Sequence, residues 1–287
     1  MSNMSSIDIR INCADNMLLA ATSFTPTQAI KGAILMAPAT GIKRQFYANF
    51  AAHLAKHGYG VVTFDNRGIG ESLKGTIKNC DANLQCWGEK DLPAAFEQLK
   101  QSFPDTRYHL IGHSAGGQLV GLMPNASELS SIFNYGCSSG SLRNMRLPHQ
   151  LKAHFFMNFF IPTNNTLFGY TKSHWLGMGE PLPKGVAQQW REWCNGEGYV
   201  KTSFGKTVHS HLYDQLSVPS MWVNASDDNI ANHTNTDDMI SVFKKLPARK
   251  LTISAKDHDL DEIGHMKFFS RKSETLWAYA LNWLEEH

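Results

Sequence analysis

A glycine-rich hexapeptide, Gly112 to Gly117 (GHSAGG), constrains the fold of this chain more than any other feature. It directly follows the apolar run Tyr108 to Ile111, which is typical of a buried strand, and a helix is expected from Gln118 onward. A serine with glycines at positions −2 and +2 suits a sharp strand-to-helix turn, because larger neighbours would clash there. This context predicts an α/β fold that presents the Ser114 hydroxyl above the end of a strand.

Apolar strands and amphipathic helices alternate along much of the chain. The predicted strands are Ala33–Ala37 and Tyr59–Phe64, both expected to be buried, and Tyr108–Ile111, Val218–Val223 and Lys250–Ser254. Helical spacing of apolar residues predicts helices around Phe46–Leu54, Leu92–Phe103, His233–Lys245 and Phe268–Leu284. A hairpin, Ser6–Asn12 with Met17–Phe24, opens the chain. The alternation predicts parallel βαβ units in a three-layer α/β fold with a mostly parallel central sheet.

The alternation breaks between about residues 138 and 213, a stretch rich in aromatic residues, glycine and proline. One helix, Pro183–Cys194, is predicted inside it. Because the stretch interrupts the α/β pattern, we interpret residues 138–213 as an inserted helical cap and residues 1–137 and 214–287 as the core. The aromatic run Phe155 to Phe160 is expected to form the core of the cap or to line an acyl pocket.

Composition excludes several classes of protein. The 287-residue chain is 42% hydrophobic, which excludes a disordered polymer, and its net charge of +2 does not indicate a nucleic-acid partner. No apolar stretch approaches the roughly 20 residues that span a bilayer, and the first residues lack the pattern of a signal peptide. We therefore expect a cytoplasmic protein without stable membrane insertion; the oligomeric state stays open.

A serine hydroxyl becomes an effective nucleophile when a base, itself oriented by an acid, takes its proton. The candidate acids, Asp227 and Asp228, lie in the segment that follows the Val218–Val223 strand. Both stay candidates, and the spacing to Ile230 favours Asp228 as the acid. Asp227 is then expected to cap the loop or to carry an exposed charge.

The candidate bases lie between the last predicted strand and the last helix, in the segment Asp257–Met266. His265 follows Gly264 and directly precedes the closing apolar helix, so its side chain can point over the edge of the sheet. His258 stands between two aspartates and is expected to be a solvated loop residue. We therefore favour His265.

Stabilising the tetrahedral intermediate of acyl transfer takes two preorganised N–H donors. One predicted donor is the backbone amide of Ala115, directly after the serine. The other is expected from the loop after the Ala33–Ala37 strand, where Ala39 is favoured and Thr40 is the alternative. This chemistry needs no metal or cofactor, and we expect none.

Several motifs resemble the α/β-hydrolase superfamily, in particular a group of predicted hydrolases related to serine aminopeptidase-like enzymes. Besides GHSAGG, they are Asp65–Ser72, Ala37–Gly41, Trp87–Ala95, Asp227–Ala231 and Ile263–Phe269. The resemblance implies an α/β-hydrolase fold and a triad of Ser114, Asp228 and His265. Asp65 and Arg67 are interpreted as a structural turn pair. The family's usual His-Gly oxyanion motif is Ala37-Pro38 here, which leaves the first oxyanion donor open.

The leading hypothesis is a serine hydrolase that cleaves a carboxylic ester, or a related acyl bond, through an acyl-enzyme on Ser114. Its expected partner is a small-molecule ester with an apolar part, since the cap is aromatic. Two alternatives share the same scaffold. One is an acyltransferase with the same triad, and the other is a ligand-binding receptor with little turnover.

Overall fold

The computed structural model describes residues 4–287, whose strands form one large sheet and one small one. The strands are β1 (Met4–Asn12), β2 (Leu18–Pro26), β3 (Gly32–Ala37), β4 (Tyr59–Phe64), β5 (Tyr108–His113), β6 (Ser131–Tyr135), β7 (Tyr170–Thr171), β8 (Leu182–Pro183), β9 (Ser220–Ala225) and β10 (Ala248–Ile253). The eight-stranded sheet has the order β1-β2-β4-β3-β5-β6-β9-β10, and β7 pairs with β8 separately. Strands β3 to β6, β9 and β10 run parallel, whereas β1 and β2 form the predicted antiparallel hairpin.

Helices cover both faces of the sheet. They are α1 (Ala48–Lys56), α2 (Leu84–Cys86), α3 (Leu92–Ser102), α4 (Ala115–Gln118), α5 (Leu147–Phe155), α6 (Ile161–Phe168), α7 (Lys184–Asn195), α8 (His233–Val242) and α9 (Trp277–Glu286). Neighbouring residues of β5 point to opposite faces, so Leu110 belongs to the apolar cluster that contains α3 and Ile111 to the cluster that contains α1 and α9. The predicted three-layer fold with a mostly parallel sheet is confirmed.

The helix expected from Gln118 onward is reduced to a 3-10 turn, Val120–Leu122, because α4 already ends at Gln118. The hydroxyl of Tyr213 donates to the Gln118 carbonyl at 2.6 Å, so this oxygen accepts from a distant side chain. The Tyr213 ring also packs on Gly121, where an added Cβ would lie 2.5 Å from it. A short strand, β6, then follows, which the sequence analysis did not predict.

The segment between β6 and β9 adds no strand to the eight-stranded sheet. Helices α5 and α6 are joined in it by one turn of π-helix, Phe156–Phe160, and α7 matches the predicted helix to within a residue. Within residues 4–287, no helix is both long enough and apolar enough to cross a bilayer.

A buried ion pair joins the loops that follow β3 and β4. The Asp65 carboxylate accepts from the Arg44 backbone amide at 2.7 Å and from its guanidinium at 2.8 Å. Both side chains are almost fully buried. The Asp65 carboxylate therefore depends on Arg44 for compensation of its charge, whereas Arg44 also pairs with Glu71 at 2.8 Å. The sequence predicted that Asp65 and Arg67 form a turn pair. Instead, Asp65 pairs with Arg44, and Arg67 pairs with Asp91 at 2.6 Å.

We expect Arg44→Gln to destabilise the fold strongly, by about 3–5 kcal/mol, because it leaves the Asp65 carboxylate buried without its counter-charge. Urea denaturation measures the free energy of unfolding. Arg249→Gln is the matched control, since the Arg249–Glu286 pair is exposed and its loss leaves stability close to that of the wild type. Equal stability of the two variants would contradict the assigned role of the buried pair.

Candidate active site

Ser114 occupies a strained turn between β5 and α4. Its backbone has φ +49° and ψ −116°, a conformation that non-glycine residues rarely adopt. The neighbouring glycines are required by close packing: a Cβ added to Gly116 would lie 2.1 Å from the Ala37 carbonyl oxygen, and one added to Gly112 would lie 2.5 Å from the Cα of Gly117. The turn therefore packs directly against β3 and leaves the Ser114 side chain partly exposed.

Three side chains that are distant in the sequence meet at this turn. His265 Nε2 lies 3.0 Å from Ser114 Oγ, and His265 Nδ1 lies 2.8 Å from Asp228 Oδ2. They come from the connections that follow β5, β9 and β10, so they share the carboxyl edge of the parallel sheet. The arrangement is a continuous hydroxyl–imidazole–carboxylate chain.

The two adjacent aspartates have different partners. Asp228 Oδ1 accepts from the backbone amides of Ile230 and Ala231 at 2.8 and 2.9 Å, which leaves Oδ2 for His265. The Asp227 carboxylate turns to the loop that carries the imidazole and accepts from the amides of Ile263 and Gly264, each at 2.9 Å. Asp228 therefore holds the ring of His265, and Asp227 holds the backbone that leads to it.

The electrostatics of the pair suit a base next to an anion. Burial disfavours the ionised carboxyl of Asp228. The charge of His265 and the hydrogen bonds that the Asp228 carboxylate accepts outweigh burial, so the pKa of Asp228 is lowered. Burial likewise disfavours the imidazolium of His265, but Asp228 outweighs it and raises the pKa of His265 above the ordinary value of 6.5. The environment thus stabilises the protonated form of the His265 imidazole.

The ring of His265 has a close neighbour in Gly136, directly after β6. Gly136 has φ +59°, and an added Cβ would lie 3.2 Å from both Cε1 and Nδ1 of His265. Glycine is therefore favoured here both by the backbone conformation and by the space that the imidazole occupies. His258, the other candidate base, instead contacts the Tyr279 hydroxyl at 3.2 Å.

Tyr47 and His113 form a buried series of hydrogen bonds beneath the site. Neither residue was predicted from the sequence to have a role. The Ala39 amide donates to the Tyr47 hydroxyl at 2.9 Å, and this hydroxyl lies 2.8 Å from His113 Nδ1. His113 Nε2 lies 2.9 Å from the backbone carbonyl of His265. Burial, reinforced by the charge of His265, lowers the pKa of His113 to about 3, so its ring is neutral.

Because the His113 ring is neutral, its partners determine which atom donates in each of these hydrogen bonds. A carbonyl can only accept, so His113 Nε2 carries the ring proton and donates to His265. Nδ1 then accepts from the Tyr47 hydroxyl, whose oxygen accepts from Ala39. His113 lies inside the GHSAGG motif and was a visible candidate, whereas nothing in the sequence pattern distinguished Tyr47.

The contact with Tyr47 also bears on the oxyanion donors. The Ala39 amide, the favoured first donor, already has an acceptor in Tyr47. This hydrogen bond disagrees with its predicted role and favours Thr40, the alternative. Ala115 is the first residue of α4, a position whose amide has no acceptor within the helix.

We expect Asp228→Asn to lower the pKa of His265 below 6.5, because burial then acts without the opposing carboxylate. Titration of the imidazole by NMR, in a Ser114→Ala background, measures the shift. Asp227→Asn is the control and should leave the pKa of His265 raised, because Asp227 contacts only backbone amides of that loop. A larger shift in the control would reverse the two assignments.

Comparison with known proteins agrees with this architecture. Residues 28–128 match the family described as serine aminopeptidase, S33, whereas no curated protein matches the sequence. A solved structure of a soluble variant of monoglyceride lipase from Saccharomyces cerevisiae, in complex with a substrate analogue, shares 15% identity at a TM-score of 0.66; the match covers 99% of this chain and 96% of that one.

Two other solved structures are similar over their length. The esterase PF2001 from Pyrococcus furiosus shares 14% identity at a TM-score of 0.61, covering 99% of this chain and 91% of that one. The α/β hydrolase GrgF from Penicillium sp. sh18 shares 16% identity at a TM-score of 0.61, covering 99% of both chains. At such identities the likeness concerns the fold, and the resemblance predicted from the motifs is confirmed. The chain has an α/β-hydrolase fold, and its residues 28–128 match the serine aminopeptidase S33 family.

Proposed function

We propose that this protein is a serine hydrolase that cleaves a carboxylic ester through an acyl-enzyme on Ser114. The observation that carries the proposal is the continuous hydrogen-bonded chain from Ser114 Oγ through His265 to Asp228, with distances of 3.0 and 2.8 Å. These are the contacts that a nucleophile, its base and an orienting acid require. The esterase and lipase among the similar structures add support for this class of substrate.

In the first half of the reaction, Ser114 Oγ attacks the ester carbonyl carbon while its proton passes to His265 Nε2. Asp228 accepts from Nδ1–H, which holds the ring in the required tautomer and stabilises the imidazolium. When the tetrahedral intermediate collapses, the bond to the leaving alcohol breaks and His265 gives this oxygen the proton. The product alcohol departs, and the acyl group stays on Ser114.

In the second half, a water molecule replaces the alcohol. His265 Nε2 takes a proton from this water as its oxygen attacks the acyl carbon, and the proton then passes to Ser114 Oγ when the ester bond to the enzyme breaks. The acid product leaves and the free serine is restored. The negative oxygen of both intermediates would accept from the Ala115 amide and from Thr40, or from Ala39 if its bond to Tyr47 opens.

The segment between β6 and β9 bears on the class of substrate. We propose that residues 138–213 form a cap over the core, since the segment between β6 and β9 adds no strand to the eight-stranded sheet and its two short strands pair with each other. The aromatic residues of this segment favour a small-molecule ester with an apolar part. The proposed chemistry uses no metal, cofactor or nucleic acid, and we expect the enzyme to act in the cytoplasm.

We expect Ser114→Ala to abolish turnover of p-nitrophenyl esters and labelling by a fluorophosphonate probe, because the attacking oxygen is absent. Wild type and variant are compared on esters of graded acyl length, and circular dichroism checks that the variant is folded. Ser141→Ala is the matched control and should be labelled as the wild type is. A folded wild type that neither reacts with the probe nor cleaves any ester would rule out the proposed function.

We expect kcat/KM for ester hydrolysis to rise with pH through an apparent pKa above 6.5. The raised pKa of His265 keeps the free enzyme protonated, and therefore inactive, at pH values where an unperturbed histidine is already neutral. A pH–rate profile from pH 5 to 9 on a non-ionising ester measures this limb. An acid limb centred well below 6.5 would show that another group acts as the base.

We expect Gly136→Ala to reduce kcat/KM, by up to about 100-fold, because a Cβ at 3.2 Å forces the His265 imidazole to shift. Gly205→Ala is the matched control: its φ of +72° imposes comparable backbone strain, but an added Cβ meets nothing within 4 Å. Both variants are assayed on the same ester at equal folded concentration. Similar losses in both would show that backbone strain, and not the contact with His265, is responsible.

A further inference from the structure

The segment between β6 and α7 carries a row of exposed apolar side chains, which we name the apolar stripe: Leu147, Leu151, Phe155 and Phe159. Their exposed fractions run from 52% to 67%. A spacing of four residues places them on one side of the helix formed by α5 and the π-turn, and the rings of Phe155 and Phe159 stack at 5.5 Å. The aromatic run expected to be cap core or pocket lining is thus divided, with Phe156 buried beneath and Phe155 and Phe159 outside.

The segment that carries the apolar stripe contains basic residues and no acidic ones. Between Leu129 and Gly179 the sequence has no Asp or Glu but four basic residues, Arg143, Arg146, Lys152 and Lys172. The whole chain carries +2, so the remainder carries −2. Glu197, outside this segment, pairs with Arg143 at 3.7 Å, whereas Arg146 and Lys152 are exposed on the same helical segment as the stripe. The basic charge beside the stripe is therefore carried by Arg146 and Lys152.

The same helix lies next to the candidate active site. His149 stands two residues from both Leu147 and Leu151, hence on another side of α5, and is partly buried. Burial lowers the pKa of His149. Directly before α5, the Asn144 carbonyl accepts from the Asn232 side chain at 2.9 Å, in the connection that follows Asp228. Helix α5 thus begins beside the connection that carries Asp228, and the stripe lies on its exposed side.

We propose that the apolar stripe and its basic neighbours form a docking surface for an anionic lipid surface. Apolar side chains along one side of a helix with Lys and Arg beside them are the features that hold a helix at the headgroup boundary without spanning the bilayer. Each basic residue near an anionic leaflet adds to the attraction. A second copy of this chain fits less well, because pairing two stripes would bring two segments of charge +4 together.

Docking through the apolar stripe predicts which class of ester the enzyme prefers. This prediction rests on the proposed function. An ester that resides in the lipid surface would enter beside α5 without crossing bulk water. The preferred substrates are then esters that partition into lipid aggregates, and fully water-soluble esters are cleaved without any benefit from the surface.

Flotation with lipid vesicles tests the docking without reference to catalysis. Ser114→Ala protein is mixed with vesicles of phosphatidylcholine alone or with 30% phosphatidylglycerol, and the bound fraction is measured. We expect binding to the anionic vesicles, at least tenfold weaker binding to the neutral ones, and weakening with added salt. Absence of binding to anionic vesicles would overturn the proposal.

Two double variants locate the surface. Leu151→Ser with Phe155→Ser should reduce vesicle binding more than tenfold, and Arg146→Gln with Lys152→Gln should reduce it about fivefold per charge. The matched controls alter equally exposed residues elsewhere: Ile7→Ser with Leu18→Ser, and Lys244→Gln with Lys250→Gln. Binding that survives in the stripe variant, or that is lost equally in the controls, contradicts the location. Sedimentation showing a dimer that the stripe variant dissociates would identify a second copy as the occupant and overturn the proposal.

Activity assays separate this proposal from the proposed function. The variant Leu151→Ser with Phe155→Ser should cleave p-nitrophenyl butyrate in solution as the wild type does, but lose at least tenfold on a long-chain ester embedded in anionic vesicles. Wild type that binds vesicles yet cleaves neither ester would leave docking intact and refute the hydrolase. Equal losses on both esters would instead assign the two side chains to the active site and overturn the docking role.

Discussion

The close approach of Gly116 to the end of β3 is the contact on which the site depends. No side chain fits there, because a Cβ would overlap the Ala37 carbonyl oxygen at 2.1 Å. With the start of α4 held against the sheet, the chain has to reverse within one residue, and Ser114 takes the strained conformation that raises its hydroxyl above the strands. The stability of the surrounding parallel sheet offsets the cost of this strain.

Two adjacent carboxylates then hold the His265 imidazole beside the serine through different contacts. Asp228 meets the imidazole itself, whereas Asp227 accepts from two amides of the loop that carries it. Because both residues follow β9 in sequence, one loop determines both the orientation of the His265 ring and the path of its backbone. The neighbouring charges stay compatible because each has hydrogen-bond donors of its own.

The sequence was most informative where structure follows from local pattern. Buried strands and the GHSAGG turn predicted the central sheet, and the order of serine, acid and histidine led to three residues that lie within hydrogen-bonding distance; their catalytic role stays a prediction. The sequence was least informative where the structure involves a contact with a residue that is distant along the chain. Helix α4 ends at Gln118, whose carbonyl accepts from the hydroxyl of Tyr213, far along the chain, and no local pattern reports that contact.

Other features were not predicted from the sequence, or were predicted from weak signals, for similar reasons. Strand β6 is short and buries Ser131 and Asn134, so its pattern did not stand out as apolar. The choice between Asp227 and Asp228 rested on spacing alone, since both carboxylates have the same chemistry and only their direction separates them. The first oxyanion donor depends on a backbone hydrogen bond, which leaves no trace in residue types.

The buried chain of Tyr47 and His113 has a consequence for how such sequences can diverge. An imidazole with a hydroxyl on one nitrogen and a carbonyl on the other links the connections that follow β3 and β10, where the rings of Tyr47 and Phe269 also pack together at 4.9 Å. If either partner changed alone, a polar atom would be stranded in the interior, at a cost that selection rarely tolerates. In related proteins the two positions should therefore be replaced together, so that a phenylalanine at one is accompanied by an apolar residue at the other.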